Sequence, residues 1–203
     1  MLHWTAGPQI EALIFDCDGT LADTMPIHYR AWVAMLDEHS MSLAESQFYA
    51  FAGMPSVAII RQLATEQGVA LTADAPARMT ADKEARYMQL IDLVRPIDEV
   101  VAVASHHRGQ LPLAVASGGE GWVVDRTLRI IGVAEWMDTV VGAEDTERHK
   151  PEPDVFLEAA RRLGVPPASC AVFEDSDLGL QAARRAGMEP VDIRPWRARP
   201  TTH

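Results

Sequence analysis

Lysine is nearly missing from this chain of 203 residues: Lys83 and Lys150 are its only two, and its basic character rests on arginine. With a formal net charge of -11, the chain lacks the cation density that neutralises nucleic-acid phosphates, which argues against that class of partner. Any anionic ligand would need a local cation, so both lysines are of interest. Cysteine is scarce as well. Cys17 and Cys170 sit in apolar runs at no metal-ligand or redox spacing and read as reduced core thiols, as suits the cytoplasm. No apolar run approaches the roughly 20 residues of a membrane span, and Met1 to Gln9 has neither the basic start nor the long apolar segment of an export signal. A soluble, unexported protein without a membrane partner is expected. Nothing in the sequence specifies an oligomer, and a monomer suffices.

What is present is an ordinary globular balance, 48% apolar and 23% charged, enough to bury a sizeable core. Short apolar runs of strand type recur at Ala12 to Phe15, Leu111 to Ala116, Thr139 to Val141, Cys170 to Phe173 and Pro190 to Ile193. Helical patterns lie between them. Val124, Leu128 and Ile131 precede Gly132, Val155, Ala159 and Leu163 precede Gly164, and a third pattern ends at Gly187. This alternation predicts an α/β fold with a doubly wound, mainly parallel sheet.

The interval from Met25 to about Ile97 breaks the alternation and is too long for a simple connection, so a structured helical insertion is expected. Its first helix carries one stripe through Ile27, Ala31, Ala34 and Glu38 and a neighbouring one through His28, Trp32 and Leu36. Pro55 opens a second helix that runs to Gly68, and Asp74 to Val94 holds one or two more. The expected division is an α/β core over 1–24 and 98–203 and a helical cap over 25–97.

Three polar clusters fall where strands end, which is where open α/β sheets bind ligands. They are Asp16-Cys17-Asp18-Gly19-Thr20, Ser117-Gly118-Gly119 and Glu174-Asp175-Ser176. Each alone is ordinary turn and cap chemistry; together they point to a site. Asp16 and Asp18, two residues apart after a strand, point the same way if the chain stays extended, and Asp175 adds a carboxylate from another strand. Such acids repel one another unless a cation lies among them, and magnesium prefers hard oxygen ligands. Ser117 and the following glycine amides offer neutral donors to phosphate oxygens, and Lys150 a positive charge.

In order along the chain, Asp16-Cys17-Asp18-Gly19-Thr20, Ser117, Lys150 and Glu174-Asp175 resemble the four motifs of the haloacid dehalogenase superfamily. Within it, Asp23-Thr24-Met25-Pro26-Ile27-His28 and His149-Lys150-Pro151-Glu152-Pro153-Asp154 are similar to the β-phosphoglucomutase-like branch, including its fructose-1-phosphate-type sugar phosphatases. The resemblance implies a Mg2+-dependent phosphatase acting on a small phosphorylated metabolite. It implies that Asp16 is the nucleophile and Asp18 the acid and base. Asp16, the Asp18 main-chain carbonyl and Asp175 would hold the metal, with Glu174 supporting them. Ser117, the Gly118 amide and Lys150 would grip the phosphoryl group.

Other residues are less determined. His28 is either a buried core histidine or faces the substrate. Thr20 either bonds locally in its turn, the role expected first, or helps close the site as a substrate-binding residue; Ser56 belongs to a neutral loop offered to the substrate, and Tyr87, Met88 and Trp122 read as packing residues. The alternative within the branch is a sugar phosphate mutase, which holds a second phosphate with a cap arginine where this chain has Gly53-Met54-Pro55-Ser56. Phosphoglycolate is an alternative substrate. A phosphonate hydrolase needs a cap lysine, and Lys83, between Asp82 and Glu84, reads instead as a solvated helix face. A dehalogenase has no use for a leaving-group acid such as Asp18, and a binding module that lost catalysis would not be expected to keep the full set of acids.

Overall fold

The computed structural model describes residues 4–197; residues 1–3 and 198–203, which the expected core range includes, lie outside the described residues. Five strands, β1 (Ala12–Phe15), β2 (Leu113–Ala116), β3 (Thr139–Val141), β4 (Cys170–Glu174) and β5 (Glu189–Asp192), form one parallel sheet in the order β3-β2-β1-β4-β5. In β1, Leu13 and Phe15 enter the apolar cluster on one face while Ala12 and Ile14 enter the cluster on the other. Alternating side chains thus serve two cores at once, and β1, β2 and β4 read as unbroken apolar runs because both their faces are covered.

Strand ends shift slightly from expectation. Strand β2 begins at Leu113 rather than Leu111, which bridges to Arg108 in the preceding turn. Strand β5 runs one residue earlier than expected, and its Pro190 is tolerated on an edge strand.

Between β1 and β2 the chain forms α1 (Met25–Asp37), α2 (Glu45–Ala50), α3 (Ser56–Gln67), α4 (Ala75–Leu90) and α5 (Asp98–His107). Helix α2 has too short an apolar repeat to stand out in the sequence, and α5, beyond the expected insertion, joins the core against the sheet through Val100, Val103 and Ala104. On α1 the buried stripe passes through Met35 and Leu36, whereas Ala34 points to solvent. Helices α1 and α3 and Met79 of α4 enclose an apolar cluster of their own, including Trp32, Ile60 and Leu63. The two chain segments joining these helices to the sheet lie side by side: Asp23 N donates to Arg95 O at 2.9 Å and Ile97 N to Leu21 O at 2.9 Å.

Helices α6 (Gly121–Ile130), α7 (Asp154–Leu163) and α8 (Asp177–Arg185) complete the fold. Ser176 caps α8, its hydroxyl accepting from Gly179 N at 3.0 Å, an interaction worth about 1 kcal/mol. Cys17 and Cys170 are buried and free. Among the described residues no helix is long and apolar enough to cross a membrane.

Candidate active site

After β3 the chain crosses to the far side of β1, so the strand order reverses between β1 and β4 and a crevice opens at their carboxyl ends. Asp16 follows β1 directly, Glu174 closes β4 and Asp175 follows it, while Ser117 leaves β2 on the other side of β1. The three clusters are neighbours because their strands are. Gly19 makes the turn after Asp18 with a φ of +86°, and a side chain there would also overlap the Asp175 carboxylate. Only glycine suits both demands.

Lys150, just before α7, is 3% exposed and ties the acids together. Its Nζ donates to Asp16 Oδ1 at 2.6 Å, to Glu174 Oε1 at 3.2 Å and to Ala116 O at 3.4 Å. Glu174 Oε2 accepts from Ser176 N at 2.8 Å and from its hydroxyl at 2.6 Å. Both Glu174 oxygens are therefore already engaged. Carboxylate oxygens of Asp16, Glu174 and Asp175 lie within 4.8 Å of one another, and Thr20 Oγ1 donates to Asp175 Oδ1 at 3.4 Å. The donor set is all hard oxygen, of the kind a magnesium ion takes.

The electrostatics follow from this crowding. Burial pushes the Asp16 carboxyl well up, Lys150 pulls it down, and Glu174, Asp175 and Asp18 raise it again. Burial and the adjacent Glu174 lift Asp175 to about 7 against the pull of Arg197. Burial alone would lower Lys150, yet Asp16 and Glu174 hold it above the ordinary lysine range. Asp18 goes the other way: burial would raise it, but the charge and hydrogen bond of His28 and the Thr24 hydroxyl bring it to about 2.

The structure answers what was left open about His28. Its Nε2 lies 3.1 Å from Asp18 Oδ1, to which Thr24 also donates at 2.7 Å, and its ring stacks on Tyr87 at 4.0 Å. His28 is thus buried and faces the site at the same time. Tyr87 is the packing residue it was expected to be, and its hydroxyl also pairs with Thr127 at 2.9 Å. Trp122 is not a packing residue: it is 54% exposed, its indole donating to Glu120, because its position on α6 faces outward.

Above the crevice, Gly53, Met54 and Ser56 face Asp16, Asp18 and Ser117 across a common cavity. The two sides meet closely, since a Cβ on Gly118 would come within 2.8 Å of the Gly53 carbonyl oxygen. Lys83 and Glu84 line the same cavity. They are 4% and 5% exposed and paired at 2.8 Å, so the solvated face expected for Lys83 is wrong. The signal was present: Met79, Lys83 and Tyr87 repeat at i, i+4 and i+8, which puts the lysine on the buried stripe of α4. Nothing in the sequence marks the contacts of Thr24 and Ser176, because short polar residues beside a motif look like turn chemistry until their partners are seen.

The family model of haloacid dehalogenase-like hydrolases matches residues 10–187. Fructose-1-phosphate phosphatase YqaB of Escherichia coli (strain K12) is 40% identical over 182 residues, a match that covers 90% of this chain and 95% of that protein. The 6-phosphogluconate phosphatase of the same bacterium is 30% identical over 178 residues, covering 84% of this chain and 76% of its own length. In fold, the chain is similar to a β-phosphoglucomutase from Clostridium difficile, with a TM-score of 0.83 at 23% identity over 90% of this chain and 84% of that one.

Proposed function

Since this chain belongs to the haloacid dehalogenase-like hydrolase family and is a phosphoric monoester hydrolase, we propose that it releases phosphate from a small sugar phosphate by way of an aspartyl phosphate formed on Asp16. The observation that carries this reading is the buried Asp16 carboxylate, held by Lys150 and flanked by Asp18, Glu174 and Asp175. A carboxylate kept there against desolvation is a nucleophile in a dry pocket.

In this reading an Asp16 oxygen attacks phosphorus as the ester P–O bond breaks. Asp18 gives its proton to the departing oxygen; arrival of the phosphate dianion raises the Asp18 carboxyl, since like charge disfavours its ionised form. Asp18 then takes a proton from water, whose oxygen attacks the phosphoryl group, and phosphate leaves with Asp16 restored. Ser117 and the Gly118 amide hold the phosphoryl oxygens, and Lys150 orients Asp16 and draws its carboxyl down against the rise that burial imposes. Asp16 and Asp175 would hold Mg2+ together with the Asp18 main-chain carbonyl that the family likeness implies. Glu174, already saturated by Lys150 and Ser176, supports the site from behind. A bound ion would offset the charge of the transferring phosphoryl group. Residues 25–97 act as a cap over the core, with the paired segments around Ala22 and Pro96 as its hinge.

Fructose-1-phosphate is the first substrate to try, on the likeness to YqaB, and phosphoglycolate the next. The neutral Gly53-Met54-Pro55-Ser56 loop in the cavity wall favours hydrolysis over mutase chemistry, which needs a grip on a second phosphate. Phosphate release from sugar phosphates, phosphoglycolate and nucleotides, each with Mg2+ and with excess chelator, tests the proposal. Preference for nucleotides, isomerisation without phosphate release, or full activity in chelator would each overturn it.

A further inference from the structure

Glu84 is a carboxylate in an unusual position for an acidic protein that binds an anion. It projects from α4 into the wall of the cavity that holds Asp16 and Asp18, and it is 5% exposed. One oxygen, Oε1, accepts from Lys83 Nζ at 2.8 Å. The other, Oε2, is buried and meets no donor among the described residues. A carboxylate oxygen withdrawn from water without a donor is unfavourable, and beside a substrate cavity a donor that the substrate brings would satisfy it. A carboxylate only accepts, and the donors that a phosphorylated polyol brings are its hydroxyls.

The same residue decides what the cavity refuses. Lys83 is the sole lysine of the insertion, its ammonium lies over the Trp32 and Tyr87 rings at 5.7 and 5.9 Å, and Glu84 neutralises it. The loop opposite, Gly53-Met54-Pro55-Ser56, carries no charge. A carboxylate or second phosphate on the leaving group would therefore meet no free lysine and would approach one more acid.

We propose that Glu84 selects the leaving group: its free oxygen accepts a hydroxyl of an uncharged polyol, and its pairing with Lys83 denies the cavity a cation for an anionic one. This rests on the phosphatase reading and refines it to phosphate monoesters of neutral polyols.

The test is kcat/KM for three phosphoryl compounds. Fructose-1-phosphate has a neutral polyol leaving group, phosphoglycolate one that carries a carboxylate, and acetyl phosphate one without hydroxyls. In Glu84→Gln, fructose-1-phosphate should fall at least about tenfold relative to acetyl phosphate, in keeping with loss of a charge-assisted hydrogen bond, while phosphoglycolate rises relative to both because Lys83 is released. If that variant does not fold, Lys83→Met with Glu84→Gln removes both charges together. It should show the same fall for fructose-1-phosphate and no rise for phosphoglycolate. Unchanged ratios in a folded variant, or a wild type that prefers phosphoglycolate, overturn the role of Glu84. A wild type that releases phosphate from none of the three overturns the phosphatase reading itself.

Discussion

Lys150 Nζ sits 2.6 Å from Asp16 Oδ1 with both side chains almost wholly withdrawn from solvent, so each charge depends on the other. Replacing Lys150 with methionine leaves Asp16 and Glu174 facing one another without a cation. The Asp16 carboxyl, already raised by burial, then rises further, which favours its protonated and non-nucleophilic form. Phosphatase activity should drop by on the order of 10² or more, and urea unfolding should show a loss of about 3 kcal/mol, the usual cost of breaking a buried pair on one side.

Asp16→Asn is the complementary change. It keeps the shape of the nucleophile and removes a charge that burial disfavours, so turnover should vanish while the unfolding midpoint stays near that of the wild type. Asp18→Asn should slow turnover by roughly 10² to 10⁴. Rapid-quench detection of labelled phosphoenzyme in that variant would locate the block after the first step.

Metal-free protein should have a stability that depends on pH in a defined direction. Asp175 ionises at its ordinary 3.8 when unfolded but holds its proton to about 7 when folded. Between those values the folded state holds the extra proton on Asp175, so the Asp175 contribution to stability is fully present below about pH 4 and is lost as pH rises towards 7. Thermal melts in chelator should show this slope, Asp175→Asn should flatten it, and Mg2+ should reverse the loss at neutral pH by offsetting the repulsion among the acids.

Gly118→Ala should act on the approach of the insertion to the core. Its Cβ would meet the Gly53 carbonyl at 2.8 Å, holding the loop away from Ser117 and letting water in. We expect kcat/KM for fructose-1-phosphate to fall at least about tenfold with melting temperature little changed; an unaltered kcat/KM would show that the loop need not approach so closely.

Much of this architecture was legible in the residue pattern. Runs such as Ala12 to Phe15 and Cys170 to Phe173, short, apolar and bounded by polar turn residues, read as strands covered on both faces, and acids at their ends mark the crevice. What escaped were features that depend on partners far along the chain. Helix α5 has an ordinary amphipathic pattern that adjoins the insertion, and nothing local assigns it to the sheet. Lys83 and Glu84, beside Asp82, look like surface charge unless the stripe through Met79, Lys83 and Tyr87 is followed to the apolar clusters it joins. The double role of His28, stacked on Tyr87 and bonded to Asp18, requires contacts from three separate segments.

Where Gly53 approaches Gly118 the contact is main chain against main chain, and the side chains beside Gly53 are Lys150 and Ser176 of the core. Met54 and Ser56 beside it, and Glu84 across the cavity, are free to change identity without altering how the two lobes meet. On the proposed reading, chemistry rests on Asp16, Asp18 and Lys150 at the carboxyl edge of the sheet, and selectivity on the loop and α4. A lineage can keep the first intact while the second drifts from one metabolite to another, and an engineer can follow the same route by recoding the loop and α4 alone.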